Sequence, residues 1–214
     1  MKKRSTLRKL LALSVLAALP AAAHAAGEVR EGIDYVRISA PQPPSKPGVE
    51  VIEFFSYACP HCNEAEPHVA KWRTTLPKDV TFRRVPITFG RPSWEAVSKL
   101  YLTLEQTGDL AKLDHEVFAA IHLQKVPLAT EQAVLDWAGK RVGDPKKFAE
   151  VYKSFGVQTA IRNADQTGAA FGISGVPSLA VAGRYLIVAK EATSFEGVLA
   201  VTSRVVEMAK RASK

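Results

Sequence analysis

The apolar positions of this 214-residue chain follow two spacings that change places along its length. From Val49 to Ser56 the run is nearly continuous in apolar side chains, the pattern of a strand buried on both faces. Residues 60–75 can be written as a helix, with Pro67 in its interior where a kink is predicted. The stretch 80–87, with Phe82, Arg83, Arg84 and Val85, predicts the next strand. From Pro92 to about Gly168 the period becomes helical. Trp94, Val97, Leu100, Tyr101 and Leu104 share one face, and Gly108 is placed to close that helix. Further helices are predicted over 110–122, 130–141, 145–155 and 157–168, broken at Pro127 and Gly143. Strand character returns at 178–181 and 184–188 around the turn Ala182-Gly183, a hairpin signature. A last helix runs to about Lys210 behind a capping box from Thr193 to Glu196. Upstream, Tyr35 to Ile38 predicts a short edge strand. The prolines at 41, 43, 44 and 47 exclude helix and central strand, so 41–48 reads as an extended linker. The order is β-β-α-β, an all-helical block, then β-β-α.

The first residues belong to none of these elements. Lys2, Lys3, Arg4, Arg8 and Lys9 precede an apolar stretch over 10–19 and the small-residue site Ala23-His24-Ala25, which is a secretory signal cleaved after Ala25. The apolar stretch is shorter than the ~20 residues a membrane span requires. These five basic residues, with no acid among 1–25, account for most of the chain's basicity: of 29 Lys and Arg, 24 remain against 21 acids, so +8 becomes +3. Nucleic acid is therefore not implied. Residues 26–214 are long enough for one domain with an insert and a sizeable core.

The chain holds two cysteines, Cys59 and Cys62, in the single motif Cys59-Pro60-His61-Cys62. In an exported protein this pair is chemical and not a framework, because its bridge would be too local to staple the fold. Strand, Cys-x-x-Cys, then helix is the context of redox chemistry. Cys59 falls at the helix start, where unpaired amides and the macrodipole stabilise a thiolate. Pro60 takes the first helical position, where a missing N–H costs nothing. Cys62 lies about one turn deeper, within disulfide reach. A zinc site would want further ligands, and His68, His115 and His122 lack the spacing. His61, as cation or donor, would favour the Cys59 thiolate. A thiol about two units below ambient pH stabilises the reduced form by roughly 2.7 kcal/mol, on the order of 60 mV towards stronger oxidation.

Phe54 to Cys62, taken with Gly175-Val176-Pro177, closely resembles the DsbA family of periplasmic thiol oxidants in the thioredoxin superfamily, over nearly the whole chain after the signal. The resemblance implies an α/β thioredoxin fold, a central mixed β-sheet flanked by helices, with an inserted all-helical domain. Residues 26–90 and 169–214 would form the thioredoxin-like domain and 91–168 the insert. It implies a Cys59–Cys62 redox disulfide with Cys59 as the attacked sulfur, and Pro177, preceded by Val176, as a cis-proline facing the cysteines. Glu53 would be the buried acid on the preceding strand, a proton relay for Cys62 or the partner of a structural ion pair with Arg84. Glu66 and Arg84 fall near the other charged positions. The implied activity is donation of the disulfide to exported polypeptides with reduced cysteines, in the periplasm. A quinone-linked membrane oxidase of the DsbB type would restore the disulfide. No metal, organic cofactor or nucleic acid is implied, and the protein would be a monomer. A disulfide isomerase or a thioredoxin-like reductant would share the site, and a holdase would need only the groove. Two departures from relatives stand out: Tyr57-Ala58 thins the aromatic run before the motif, and no second cysteine pair exists.

Overall fold

The computed structural model describes residues 28–212, so the signal expected over 1–25 lies outside the described residues. Five strands form one mixed sheet in the order β1-β5-β4-β2-β3. They are β1 Tyr35–Arg37, β2 Val49–Phe55, β3 Val80–Pro86, β4 Ser178–Val181 and β5 Tyr185–Ile187. β2 runs parallel to β3 and antiparallel to β4, and all seven of its residues are buried. Its side chains alternate between two cores, as the period of a strand requires. Val51 packs with Ala65, Val69 and Trp72 of α1, Pro60–Arg73, and with Leu199 and Val205 of α7, Phe195–Ala212. Ile52 and Phe54 face the other way, onto Ala164 of α6, Phe155–Ala170, and onto Phe171. Glu53 sits on the Val51 side, beneath the helix that begins at the cysteines.

Five helices, α2 Pro92–Thr107, α3 Leu110–Phe118, α4 Glu131–Ala138, α5 Pro145–Tyr152 and α6, lie between β3 and β4 in the chain. Their core, built on Leu100, Leu104, Leu113, Phe118, Phe148 and Tyr152, is continuous with Phe55, Tyr57, Cys59 and Cys62. The motif therefore belongs to the packing of the helical block as much as to the sheet.

Several local details differ from the sequence expectation. The helix expected over 110–122 stays α-helical only to Phe118 and widens into a π-turn over Ala119–Leu123, with the Gln124 amide donating to the Ala119 carbonyl at 2.9 Å. α6 starts two residues early because the Ser154 hydroxyl accepts from the Val157 amide at 3.2 Å. The last helix is capped by Ser194, which accepts from the Gly197 amide at 3.1 Å, and not by Thr193, because its first residue is Phe195. The proline-rich stretch is extended but pinned: Gln42 donates its amide to the Gly183 carbonyl at 2.8 Å. Gly183 has φ 62°, and a Cβ there would stand 1.8 Å from the Gln42 carbonyl oxygen. Among the described residues, no helix is long and apolar enough to cross a membrane.

Candidate active site

β2 ends at Phe55, and the next residues turn the chain into α1. The Cys59 amide donates to the Ser56 carbonyl at 3.1 Å, and the Ala58 amide to the Ser56 hydroxyl at 3.2 Å. Cys59 occupies the cap position, with φ −86° and ψ 120°, and Pro60 opens the helix. No side-chain oxygen caps this helix, so its first amides are left for the sulfur. Both cysteines are free thiols and both are buried.

The two thiols have opposite acidities. Cys59 is lowered from 9.0 to about 6. The hydrogen bond from the Cys62 thiol contributes most; burial works against it, and the amides of Cys62 and His61 and then the His61 charge add to it. Cys62 is raised far above the ordinary thiol value, by the bond it donates to Cys59 and then by burial. The Cys59 Sγ stands 3.4 Å from the carbonyl oxygen of Val176, to which its S–H donates. The Val176–Pro177 peptide is cis, and Pro177 leads directly into β4. Beside Pro177 opens a cavity of about 190 Å³ walled by Ala65, Val69, Leu179, Phe195 and Val198.

His61 contributes less to Cys59 than its place in the motif suggests. Its ring is exposed, and Nδ1 lies 3.0 Å from Oε2 of Glu64, one helical turn on. The hydrogen bond that His61 donates to Glu64, followed by the charge of Glu64, raises the pKa of His61 and keeps its proton on. The i,i+3 spacing would have disclosed Glu64 from the sequence.

Beneath the motif lies a cluster of buried charge. Nε of Arg84 is 2.8 Å from Oε2 of Glu53, an ion pair by distance in which the N–H is not aimed as a hydrogen bond. The same guanidinium donates through Nη1 to both oxygens of Asp114 on α3, at 2.9 and 2.8 Å. Its carbon lies 3.7 Å from the centroid of the Phe55 ring. The Tyr57 hydroxyl also donates to Asp114, at 2.6 Å. Burial works against the charge on Arg84, but Glu53 and Asp114 together outweigh it and hold the cation. Glu53 is raised as well, which for a carboxyl favours the neutral form: burial contributes most, and the charge of Arg84 does not cancel it. Glu53, Glu66, Arg73, Arg84 and Asp114 line one small cavity, and Glu66 faces His115 at 3.4 Å.

The structure thus brings Cys59, Cys62, Pro60, Val176, Pro177 and Glu53 together and leaves His61 at the rim. Sequence reasoning missed Asp114, which sits in the helical block with no periodicity to mark it. It also missed Glu50, a second buried acid on β2, which accepts from Ser45 and from Arg83, the latter at 3.0 Å. Among the described residues, no group of three or more His, Cys, Asp or Glu is placed to hold a metal ion.

A family model described as DSBA-like thioredoxin domain matches residues 50–200. Thiol:disulfide interchange protein DsbA of Bordetella parapertussis is 40% identical over 183 residues, covering 85% of this chain and 86% of that protein. Its namesake in Pseudomonas aeruginosa is 36% identical over 207 residues, covering 96% and 97%. The crystal structure of P. aeruginosa DsbA superposes with a TM-score of 0.79 at 36% identity, covering 85% of this chain and 95% of that one. The oxidoreductase DsbA from Xylella fastidiosa gives 0.77 at 28% identity, covering 86% and 98%.

Proposed function

The chain belongs to the DSBA-like thioredoxin domain family, with that family's fold and its protein disulfide oxidoreductase activity, and from this premise we propose how its residues carry out thiol oxidation. A substrate thiolate attacks Sγ of Cys59 in the Cys59–Cys62 disulfide. The bond between the two cysteines breaks, its electron pair goes to Cys62, and a mixed disulfide joins Cys59 to the substrate. A second substrate thiolate then attacks the substrate sulfur of that bond and releases Cys59 as thiolate. The substrate has lost two electrons to become a disulfide, and the enzyme holds them as a dithiol.

The acidity difference between the two sulfurs carries this reading. Cys59, at about 6, is a good leaving group at neutral pH, while Cys62 is the sulfur that retains a proton. One unit below ambient pH is worth about 30 mV towards a more oxidising couple. Glu53, buried on the same side of the sheet, supplies the proton that Cys62 needs as it leaves. Pro177 and Val176 form the wall past which the substrate backbone approaches.

The substrates are exported polypeptides carrying reduced cysteines, and the compartment is the periplasm, reached by way of the signal over 1–25. Electrons pass on to a quinone-linked membrane oxidase of the DsbB type. The protein acts as a monomer, with its own disulfide as the only redox group. Equilibration with glutathione tests the reading: the disulfide should be strongly oxidising, whereas an equilibrium favouring the disulfide as thioredoxin's does would make the chain a reductant.

A further inference from the structure

The charges under the motif do not balance if every group is ionised. Arg84 stands between two carboxylates, Glu53 at 2.8 Å and Asp114 at 2.8 Å. One cation against two anions leaves a net negative charge in a site where the three side chains are 6%, 1% and 14% exposed. A buried, uncompensated charge is costly, and a shared proton removes it.

The hydrogen bonds decide which carboxylate carries that proton. Asp114 takes both of its oxygens to Nη1 of Arg84 and accepts the Tyr57 hydroxyl besides, and donated bonds stabilise an ionised carboxylate. Glu53 receives no aligned hydrogen bond on either oxygen and is the more deeply buried of the two. The remaining groups around Glu53 do not reverse the count. Glu66 on α1, which faces His115, is a further negative charge that raises Glu53, Arg73 lines the same cavity, Tyr101 on α2 is held neutral by burial, and Cys62 carries no charge in the disulfide.

We propose that Asp114, carried in by the inserted helices, is the positioning residue that leaves the shared proton on Glu53, by claiming the guanidinium of Arg84. This rests on the reading above in which Glu53 delivers a proton to Cys62. When the disulfide opens, the carboxylic acid of Glu53 gives its proton to the departing Cys62 sulfur. The resulting carboxylate is met by Arg84 until solvent returns a proton to it. The helical block thereby sets the protonation state of a residue on the sheet.

Carboxyl carbon NMR on the oxidised protein, in which no thiol titrates, tests this directly, with Glu53→Gln used to assign the Glu53 signal. In Asp114→Asn the guanidinium has one anion left, so the Glu53 midpoint should fall by about one pH unit or more. Tyr57→Phe withdraws one donor from Asp114 and should move the same midpoint downward by less. A Glu53 midpoint unchanged in Asp114→Asn overturns the proposal. If that variant does not fold, an unchanged midpoint in Tyr57→Phe does so. The rate of disulfide opening by glutathione, corrected for thiolate concentration, should fall where Glu53 loses its proton, and Asp114→Asn should bring that fall to lower pH. A rate profile unaltered in Glu53→Gln, together with a moved midpoint in Asp114→Asn, would remove Glu53 as donor and leave the link to Asp114 standing.

Discussion

Nε2 of His122 lies 2.7 Å from the carbonyl oxygen of Tyr57, so a ring on the π-turn donates to the backbone two residues before Cys59. Tyr57 is 1% exposed, and its carbonyl would otherwise be a buried acceptor with no donor from this side. The imidazole also stacks on Phe118, with ring centroids 6.2 Å apart. The wide turn is thus a brace between the helical block and the active-site loop.

His122→Phe keeps the stacked ring and deletes the donor. The folded state should lose about 1–3 kcal/mol, the cost of an unsatisfied buried acceptor, in both redox states. Urea unfolding would show this as a lower midpoint at unchanged slope. A loss below about 0.5 kcal/mol would mean that the carbonyl finds another donor.

Ultraviolet absorbance of the thiolate in the reduced protein should titrate with a midpoint of about 6. Cys62→Ala removes the largest contribution and should raise the midpoint more than His61→Ser does, since the His61 charge ranks below the thiol and the amides. The reverse order of the two variants would return His61 to the centre of the site.

The same acidity makes the stability of the reduced protein depend on pH. Cys59 is lowered in the fold from 9.0 to about 6, so its contribution is complete above 9.0 and is lost as pH falls through 6. At pH 7 it amounts to about 1 kcal/mol. Cys62 is raised, and its contribution is lost above the ordinary thiol range. The reduced form should therefore gain on the oxidised form from pH 6 up to about 9 and then stop gaining. Melting temperatures of both forms across that range would reveal it, and a constant difference would contradict the assigned acidities.

Arg84→Met leaves the Asp114 carboxylate buried without a cation, beside a Glu53 that already holds the shared proton. Removing one partner of a buried ion cluster costs about 3–5 kcal/mol at neutral pH. Protonation of the stranded carboxylate removes the buried charge, so the loss is smallest at acid pH and grows as pH rises. The variant should recover stability towards about pH 5. An equal loss at pH 5 and pH 7 would put the cost in lost packing of the guanidinium on Phe55, not in charge.

The order of elements was legible because apolar spacing separates the strands at Val49 and Ser178 from the helices between them. Cys59, Pro60 and Gly108 mark helix ends by chemistry that acts within one turn, and Gly108 indeed closes α2 with φ 85°. Glu53 could be suspected as a lone acid in an apolar run. What remained hidden depends on contacts between distant segments. Asp114 meets Arg84 across 30 positions and His122 meets Tyr57 across 65, and neither leaves a periodic trace. The cap moved from Thr193 to Ser194 because two adjacent hydroxyl residues offer the same local signal.

Cys59 and the carbonyl that faces it, on Val176, are 117 positions apart, and Val51 pairs with Val181 across the whole helical block. Closing so long a loop costs entropy that the pairing of β4 with β2 must help to offset. A chain made from its N-terminus carries its two cysteines well before the wall opposite them exists. In that interval the motif is not yet buried against its finished surroundings, and burial is part of what separates the two acidities. The half-made molecule therefore carries its two thiols without the wall that Val176 and Pro177 supply in the finished fold.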